Sequence, residues 1–138
     1  MRATRRAKLA ALAVAALAVP TGLVVGPAGT ASAAGVTCNS FKSYYGADVP
    51  YYTGTGSVDC YMGQGASSDA VWGLQFTMNY CYGEHLTVDG NFGALTRAAL
   101  IRTQQKAGTP ADGEYGPNTR KAILHDVTSP GTGCIRVP

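Results

Sequence analysis

Apolar positions set the first expectations. Val71, Leu74, Met78 and Cys81 recur at spacings of three and four, which marks one face of a helix. Ser67-Ser68-Asp69 supplies N-cap side chains before it, and Tyr82-Gly83 ends it. The pattern therefore predicts a helix over 69–82. Trp72, Phe76 and Tyr80 form a second stripe on the same segment. At helical spacing such a stripe reads first as core, although the single tryptophan could also be a ligand platform. Upstream, residues 34–66 show no helical period. They are rich in Gly, Ser, Thr and Tyr, and read as an irregular segment of short extended pieces between turns. Clustered tyrosines such as Tyr44, Tyr45, Tyr51 and Tyr52 can stack on sugar rings or pack over a neighbouring domain.

An internal repeat organises the remainder. Val88-Asp89-Gly90-Asn91-Phe92-Gly93-Ala94-Leu95-Thr96-Arg97-Ala98-Ala99-Leu100 recurs 23 positions later as Ala111-Asp112-Gly113-Glu114-Tyr115-Gly116-Pro117-Asn118-Thr119-Arg120-Lys121-Ala122-Ile123. Asp-Gly makes a tight turn, since Gly tolerates positive φ and Asp bonds its own downstream backbone. Phe92 or Tyr115 follows as an aromatic anchor into the core, and Gly93 or Gly116 permits sharp entry to a helix. Helices are predicted over 94–107, stopped by Gly108 and Pro110, and over 117–126, opened by Pro117 and broken by Ser129-Pro130-Gly131. The expected fold is mainly α: a small three-helix bundle (69–82, 94–107, 117–126) with an irregular, disulfide-stapled N-terminal segment.

The N-terminus changes how the composition is read. Of 138 residues, 11 are Lys or Arg and 8 are Asp or Glu. Four of those bases, Arg2, Arg5, Arg6 and Lys8, precede an Ala/Leu/Val run from Leu9 to Val25, and Ala31-Ser32-Ala33 follows it. That order of basic, apolar and small-x-small segments reads as a signal peptide over 1–33. Pro20 and Gly22 interrupt the apolar run, whereas a membrane span wants about 20 continuous apolar residues. No membrane association is expected after cleavage. Without those four bases the chain is close to neutral, so no basic stripe for nucleic acid remains. The domain layout is then 34–66, a folded unit at 67–127, and a tail at 128–138 tied by a disulfide.

In an exported protein an even cysteine count reads as disulfides. Cys38, Cys60, Cys81 and Cys134 allow three pairings; Cys38–Cys60 and Cys81–Cys134 are favoured, because they staple the polar segment and tie a helix end to the tail. No C-x-x-C spacing, H-E-x-x-H, G-x-S-x-G or Ser-x-x-Lys occurs. His85 falls in a loop, and His125 at a helix C-terminus, where a cation suits the dipole. Asp89 and Asp112 read as turn residues, not as a catalytic carboxyl pair. Asp89-Gly90-Asn91 is similar to part of a calcium loop, but the ligands further on are missing. No catalytic residue, metal or cofactor is assigned, and the protein is not expected to be an enzyme.

Val71, Leu74-Gln75 and Met78-Asn79, followed by Val88-Asp89-Gly90-x-Phe92-Gly93-x-x-Thr96-x-x-Ala99-Leu100, Gln104, Gly108 and Asp112-Gly113-x-Tyr115-Gly116-Pro117-x-Thr119, resemble the three-helix peptidoglycan-binding domain of bacterial cell-wall hydrolases. The likeness covers about 67–127. Thr103 and Thr109 depart from it, standing where the family usually has Phe and Leu. The resemblance implies a compact domain that holds its host on the bacterial wall, with no catalytic domain recognisable beside it. The expected role is a secreted, non-catalytic binder of peptidoglycan, through stem peptide or glycan, outside the cell or on its wall. The alternative is a secreted interaction or inhibitor protein that binds a protein partner. Candidate ligand residues are Asn91, Arg97, Glu114, Tyr115, Asn118, Arg120 and Tyr82. The two arginines would grip stem-peptide carboxylates, the polar side chains would read peptide amides, and the two tyrosines would line a groove between repeats.

Overall fold

The computed structural model describes residues 35–128 and 132–138. The expected signal peptide at 1–33 and the Ser129-Pro130-Gly131 break lie outside the described residues. The element order is β1 (Ser40–Tyr44), β2 (Ala47–Tyr51), α1 (Asp69–Tyr82), α2 (Ala94–Ala107), α3 (Pro117–Ala122), β3 (His125–Asp126) and β4 (Cys134–Ile135). The strands form two antiparallel two-stranded sheets, β1–β2 and β3–β4. The fold is thus mixed α and β, which overturns the mainly α bundle with an irregular N-terminal segment.

Two causes account for the difference. Tyr45 and Gly46 both take positive φ, +52° and +86°, a pairing that makes a two-residue hairpin turn and zips Ser40–Tyr44 onto Ala47–Tyr51. The third helix stops at Ala122, short of the expected 126. Ile123 turns extended and fills the core, the Leu124 N–H donates to the Tyr82 hydroxyl, and His125–Asp126 pairs with Ile135–Cys134. Burial and β pairing outweigh the propensity of one further helical turn. α1 and α2 follow their local signals: Ser68 caps α1, and Gly83 and Gly108 end α1 and α2 in the left-handed conformation.

Each aromatic anchor of the repeat points into the core, with Phe92 and Tyr115 buried. Residues 60–68 run along both anchors. Met62 exchanges main-chain hydrogen bonds with Tyr115, Phe92 donates to Ala66 and accepts from Gly65, and Ser68 donates to Gly90. The N-terminal segment therefore completes the core: Cys38, Cys60 and Met62 lie in one cluster with Val71, Leu74, Met78, Phe92, Leu100, Tyr115 and Ile123. Cys38 bonds Cys60, and Cys81 bonds Cys134, closing sequence separations of 22 and 53 residues. Each cross-link is worth about 3–4 kcal/mol in the chain-entropy model.

A buried glutamine holds each Asp-Gly corner. Gln75 Nε2 donates to Asp89 Oδ1, the Asn91 carbonyl and Thr96 Oγ1 at 3.0–3.1 Å, while its Oε1 accepts from the Asp89 and Gly90 N–H groups. Gln104 repeats the arrangement: Nε2 donates to Asp112 Oδ1, the Glu114 carbonyl and Thr119 Oγ1 at 2.9 Å, and Oε1 accepts from the Gly113 N–H. The amide has two hydrogens for three acceptors, so one is shared. Gly90 and Gly113 sit at φ +75° and +74°. Asp89 and Asp112 each accept the N–H two residues on, closing the turn. Thr103, next to Gln104, is equally buried, yet its hydroxyl has no partner among the described residues.

Two stability predictions follow from these contacts. Gln104→Leu leaves the Gly113 N–H unpartnered in the core and should cost about 2–4 kcal/mol, a fall in Tm of roughly 10–20 °C. Thr103→Val removes only an unpaired hydroxyl and should be neutral or stabilising by up to about 1 kcal/mol; thermal melts of the two variants check the opposite signs. The second concerns acid. His125 is fully buried, not a cation at a helix end as expected, and its Nε2 faces the Arg120 carbonyl at 3.0 Å. Burial above all pushes its pKa from 6.5 down to about 4. The unfolded chain takes up the proton first, so this contribution to stability is full above about pH 6.5 and is lost towards about pH 4. Asp126, raised by burial, works in the opposite direction. His125→Phe should therefore flatten the fall of Tm over that window, and an unchanged slope would remove His125 as its source.

Candidate functional site

The first corner borders a groove of about 360 Å³, whose lining includes His85, Thr87, Asp89, Asn91 and Leu95. Its walls are pinned. Asn79 of α1 accepts the Leu86 N–H and donates to the Leu86 carbonyl, both at 2.8 Å, which fixes the loop after α1. Gln75 holds the corner from below. The third wall is the start of α2. No side chain caps this helix, because Gly93 is the N-cap, and Gly93, Ala94 and Leu95 all line the groove. Unsatisfied N–H groups and the helix dipole favour an anion or a carbonyl oxygen there. Leu95 projects beside them, 79% exposed, as an apolar contact. Asp89 is held below the usual carboxylate range, first by the Asn91 N–H and next by the Gln75 amide. These bonds favour its ionised form. The arrangement can bind a short, mixed polar and apolar chain.

The candidate residues divide by position. Asn91 is exposed on the first corner, its Oδ1 accepting from Ser67 Oγ at 2.8 Å, and it lines the groove. Arg97 is exposed but crosses to the second corner, donating to the Asp112 carbonyl at 2.9 Å, and its stem lies over Gly113. Glu114 is half-buried there, with its side chain against Gly63. Asn118 is exposed on the first turn of α3.

The other three serve the fold. Tyr115 is fully buried, stacked edge-on to His125 at 6.4 Å. Tyr82 is half-buried, with its hydroxyl accepting the Leu124 N–H at 2.7 Å, so the two tyrosines do not line an open groove between the repeats. Arg120 is 3% exposed: it donates to the Pro138 carbonyl, pairs with Asp59 at 3.0 Å and lies over the Tyr44 ring. A buried guanidinium with these partners does not grip a carboxylate in solvent. The two repeat-related arginines thus differ because Arg120 is enclosed by Asp59, Tyr44 and Pro138, whereas Arg97 lies along the exposed second corner.

Gln75 and Gln104 drew no role from spacing alone. The usable signal is a glutamine on an apolar helix face, followed by an Asp-Gly corner. The aromatic stripe of α1 is also misplaced by the core reading. Trp72, Phe76 and Tyr80 are 41%, 40% and 50% exposed, because Val71, Leu74 and Met78 occupy the buried face beside them.

Parts of the sequence have known relatives. Residues 73–123 match the model of the peptidoglycan binding domain family. The chain is 38% identical over 121 residues to a zinc D-Ala-D-Ala carboxypeptidase of Streptomyces albus G, covering 86% of this chain and 43% of that enzyme. It is 51% identical over 35 residues to a "Probable N-acetylmuramoyl-L-alanine amidase" of Bacillus licheniformis, covering 25% of this chain and 10% of that one. A solved peptidoglycan-binding protein from Clostridioides difficile, in complex with glutamine hydroxamate, is 25% identical with a TM-score of 0.46, covering 57% of this chain and 52% of its own. The chain thus spans about half or less of each of these relatives.

The contrast between the two arginines is testable. Arg120→Ala should lower stability by about 2–3 kcal/mol through lost packing and hydrogen bonds, whereas Arg97→Ala should stay within about 0.5 kcal/mol of the parent in chemical denaturation. Equal effects would contradict the placement of the two side chains.

Proposed function

We propose that this chain is a secreted, non-catalytic module that binds bacterial cell-wall peptidoglycan, outside the cell or on its wall. One observation carries the reading: within the stretch that matches the peptidoglycan binding domain model, the first corner and the uncapped start of α2 enclose a groove that suits a stem peptide. The α2 N–H groups would take a stem-peptide carboxylate or carbonyl, Asn91 and Thr87 would meet peptide amides, and Leu95 would lie on an alanine side chain. Among the described residues no helix is long and apolar enough to cross a membrane. The reading is supported by relatives named for D-Ala-D-Ala and N-acetylmuramoyl-L-alanine chemistry, each a chain longer than the stretch it shares with this one.

Leu95→Asp separates binding from folding. An acid in the first turn of α2 suits the helix dipole, so Tm should hold or rise, but it would repel a carboxylate in the groove. Sedimentation with purified cell walls should fall several-fold, and soluble stem peptides should compete with the parent. Unchanged sedimentation of the variant would remove the groove from the site. A parent protein that stays in the supernatant, or one that releases soluble wall fragments, would overturn the reading.

A further inference from the structure

A second surface is built into the opposite chemistry of α1. Phe41 of β1 and Trp72, Phe76 and Tyr80 of α1 form a single file of rings. Successive centroids lie 5.8, 5.7 and 6.0 Å apart, and successive planes differ by 20°, 6° and 11°. All four rings stay between 37% and 50% exposed. Three come from one helix at four-residue spacing; the fourth is delivered by the hairpin. Gly73 eases that delivery, because a Cβ there would sit 3.2 Å from the Phe41 ring, a tight approach. Four contiguous, part-exposed rings make an apolar strip available to a ligand.

The strip has a polar border. Phe41, Trp72, Gly73 and Phe76 floor a cleft of about 270 Å³, and Asp48 and Asp126 line its side. Both carboxylates accept from hydroxyl donors, Asp126 from Thr77 at 2.5 Å and Asp48 from Thr128 at 3.1 Å. Two acids and no base line the cleft, so a phosphate backbone is repelled and an uncharged donor of hydroxyl groups is favoured. The regular ring spacing favours a polymer with a regular repeat over the uneven surface of a protein. A chain of pyranose rings has both properties: apolar C–H faces for the aromatic rings and hydroxyls for the carboxylates.

We infer that the Phe41–Trp72–Phe76–Tyr80 ladder is a platform for a β-1,4-linked amino-sugar chain, with Asp48 and Asp126 accepting hydrogen bonds from its hydroxyls. This inference rests on the reading of the chain as a wall binder, and it assigns the glycan strand to α1 and the stem peptide to the groove at the first corner.

Trp72 is the chain's single tryptophan, so its fluorescence reports on the ladder directly. Titration of the full chain with N-acetylglucosamine oligomers, dimer to hexamer, should give a saturable emission change, with affinity rising with length and levelling near the tetramer. Phe76→Ala should weaken binding of the hexamer about tenfold, Phe76→Tyr should restore it, and Tm should change little because the ring is exposed. No emission change with any oligomer, an affinity independent of length, or an unaffected Phe76→Ala variant would overturn the platform. The two readings fail separately. Parent protein that sediments with whole walls but ignores the oligomers keeps wall binding and loses the platform. Protein that binds the oligomers but not whole walls keeps the platform and loses wall binding. A Phe76→Ala variant that keeps its oligomer affinity but loses a protein partner would make the strip a protein interface and overturn the platform.

Discussion

A side-chain amide buried beneath a tight turn is the constraint on which this molecule depends. An Asp-Gly corner exposes main-chain N–H and C=O groups that no helix or sheet satisfies. Burying them without partners would be costly. Gln75 and Gln104 solve the problem alike, each reaching from a preceding helix to engage both sides of one corner. The corner in turn aims an aromatic anchor into the core and starts the next helix with a threonine that bonds the glutamine. Helix, corner, anchor and helix are therefore a single cooperative unit, used twice.

The rest of the chain closes around that unit. Residues 60–68 satisfy the main chain of both anchors, and the Cys38–Cys60 bridge fixes them to the start of the described chain. Glu84, just past α1, accepts a bidentate bond from Arg102 and lies near Lys106, so α2 is clamped to the end of α1. Its carboxyl is held below the ordinary range chiefly by the Arg102 hydrogen bonds. Cys81–Cys134 then ties α1 to β4. A stiff frame of this kind matters for a binder, since a preformed groove loses little conformational freedom when it is filled.

What could be read from sequence follows the range of the forces involved. The caps of α1 and α2, the Asp-Gly corners and the inward Phe92 and Tyr115 are set by residues within a few positions, and they were legible. The hairpin rests on Tyr45 taking positive φ, an uncommon conformation for a bulky residue that local preference does not announce. The end of α3 rests on β pairing of His125–Asp126 with a strand beyond the next turn, and on Ile123 reaching the core. The candidate site was legible in the same measure. Asn91, Arg97 and Asn118 are at the surface, as their corner and first-turn positions imply. Arg120 is buried by partners remote in sequence, Asp59 and Pro138, which the repeat pattern does not contain. The aromatic stripe was misread because period alone says that residues share a helix face, not which face the core takes.

Amide hydrogen exchange at Gly90 and Gly113 tests the glutamine-held corner most directly. Both N–H groups donate to a glutamine Oε1 in the interior. They should exchange only when the whole domain unfolds, with a free energy equal to that from denaturant melts. Exchange as fast as at Gly46, in the open hairpin turn, would show that the corners breathe independently and that the glutamines do not hold them.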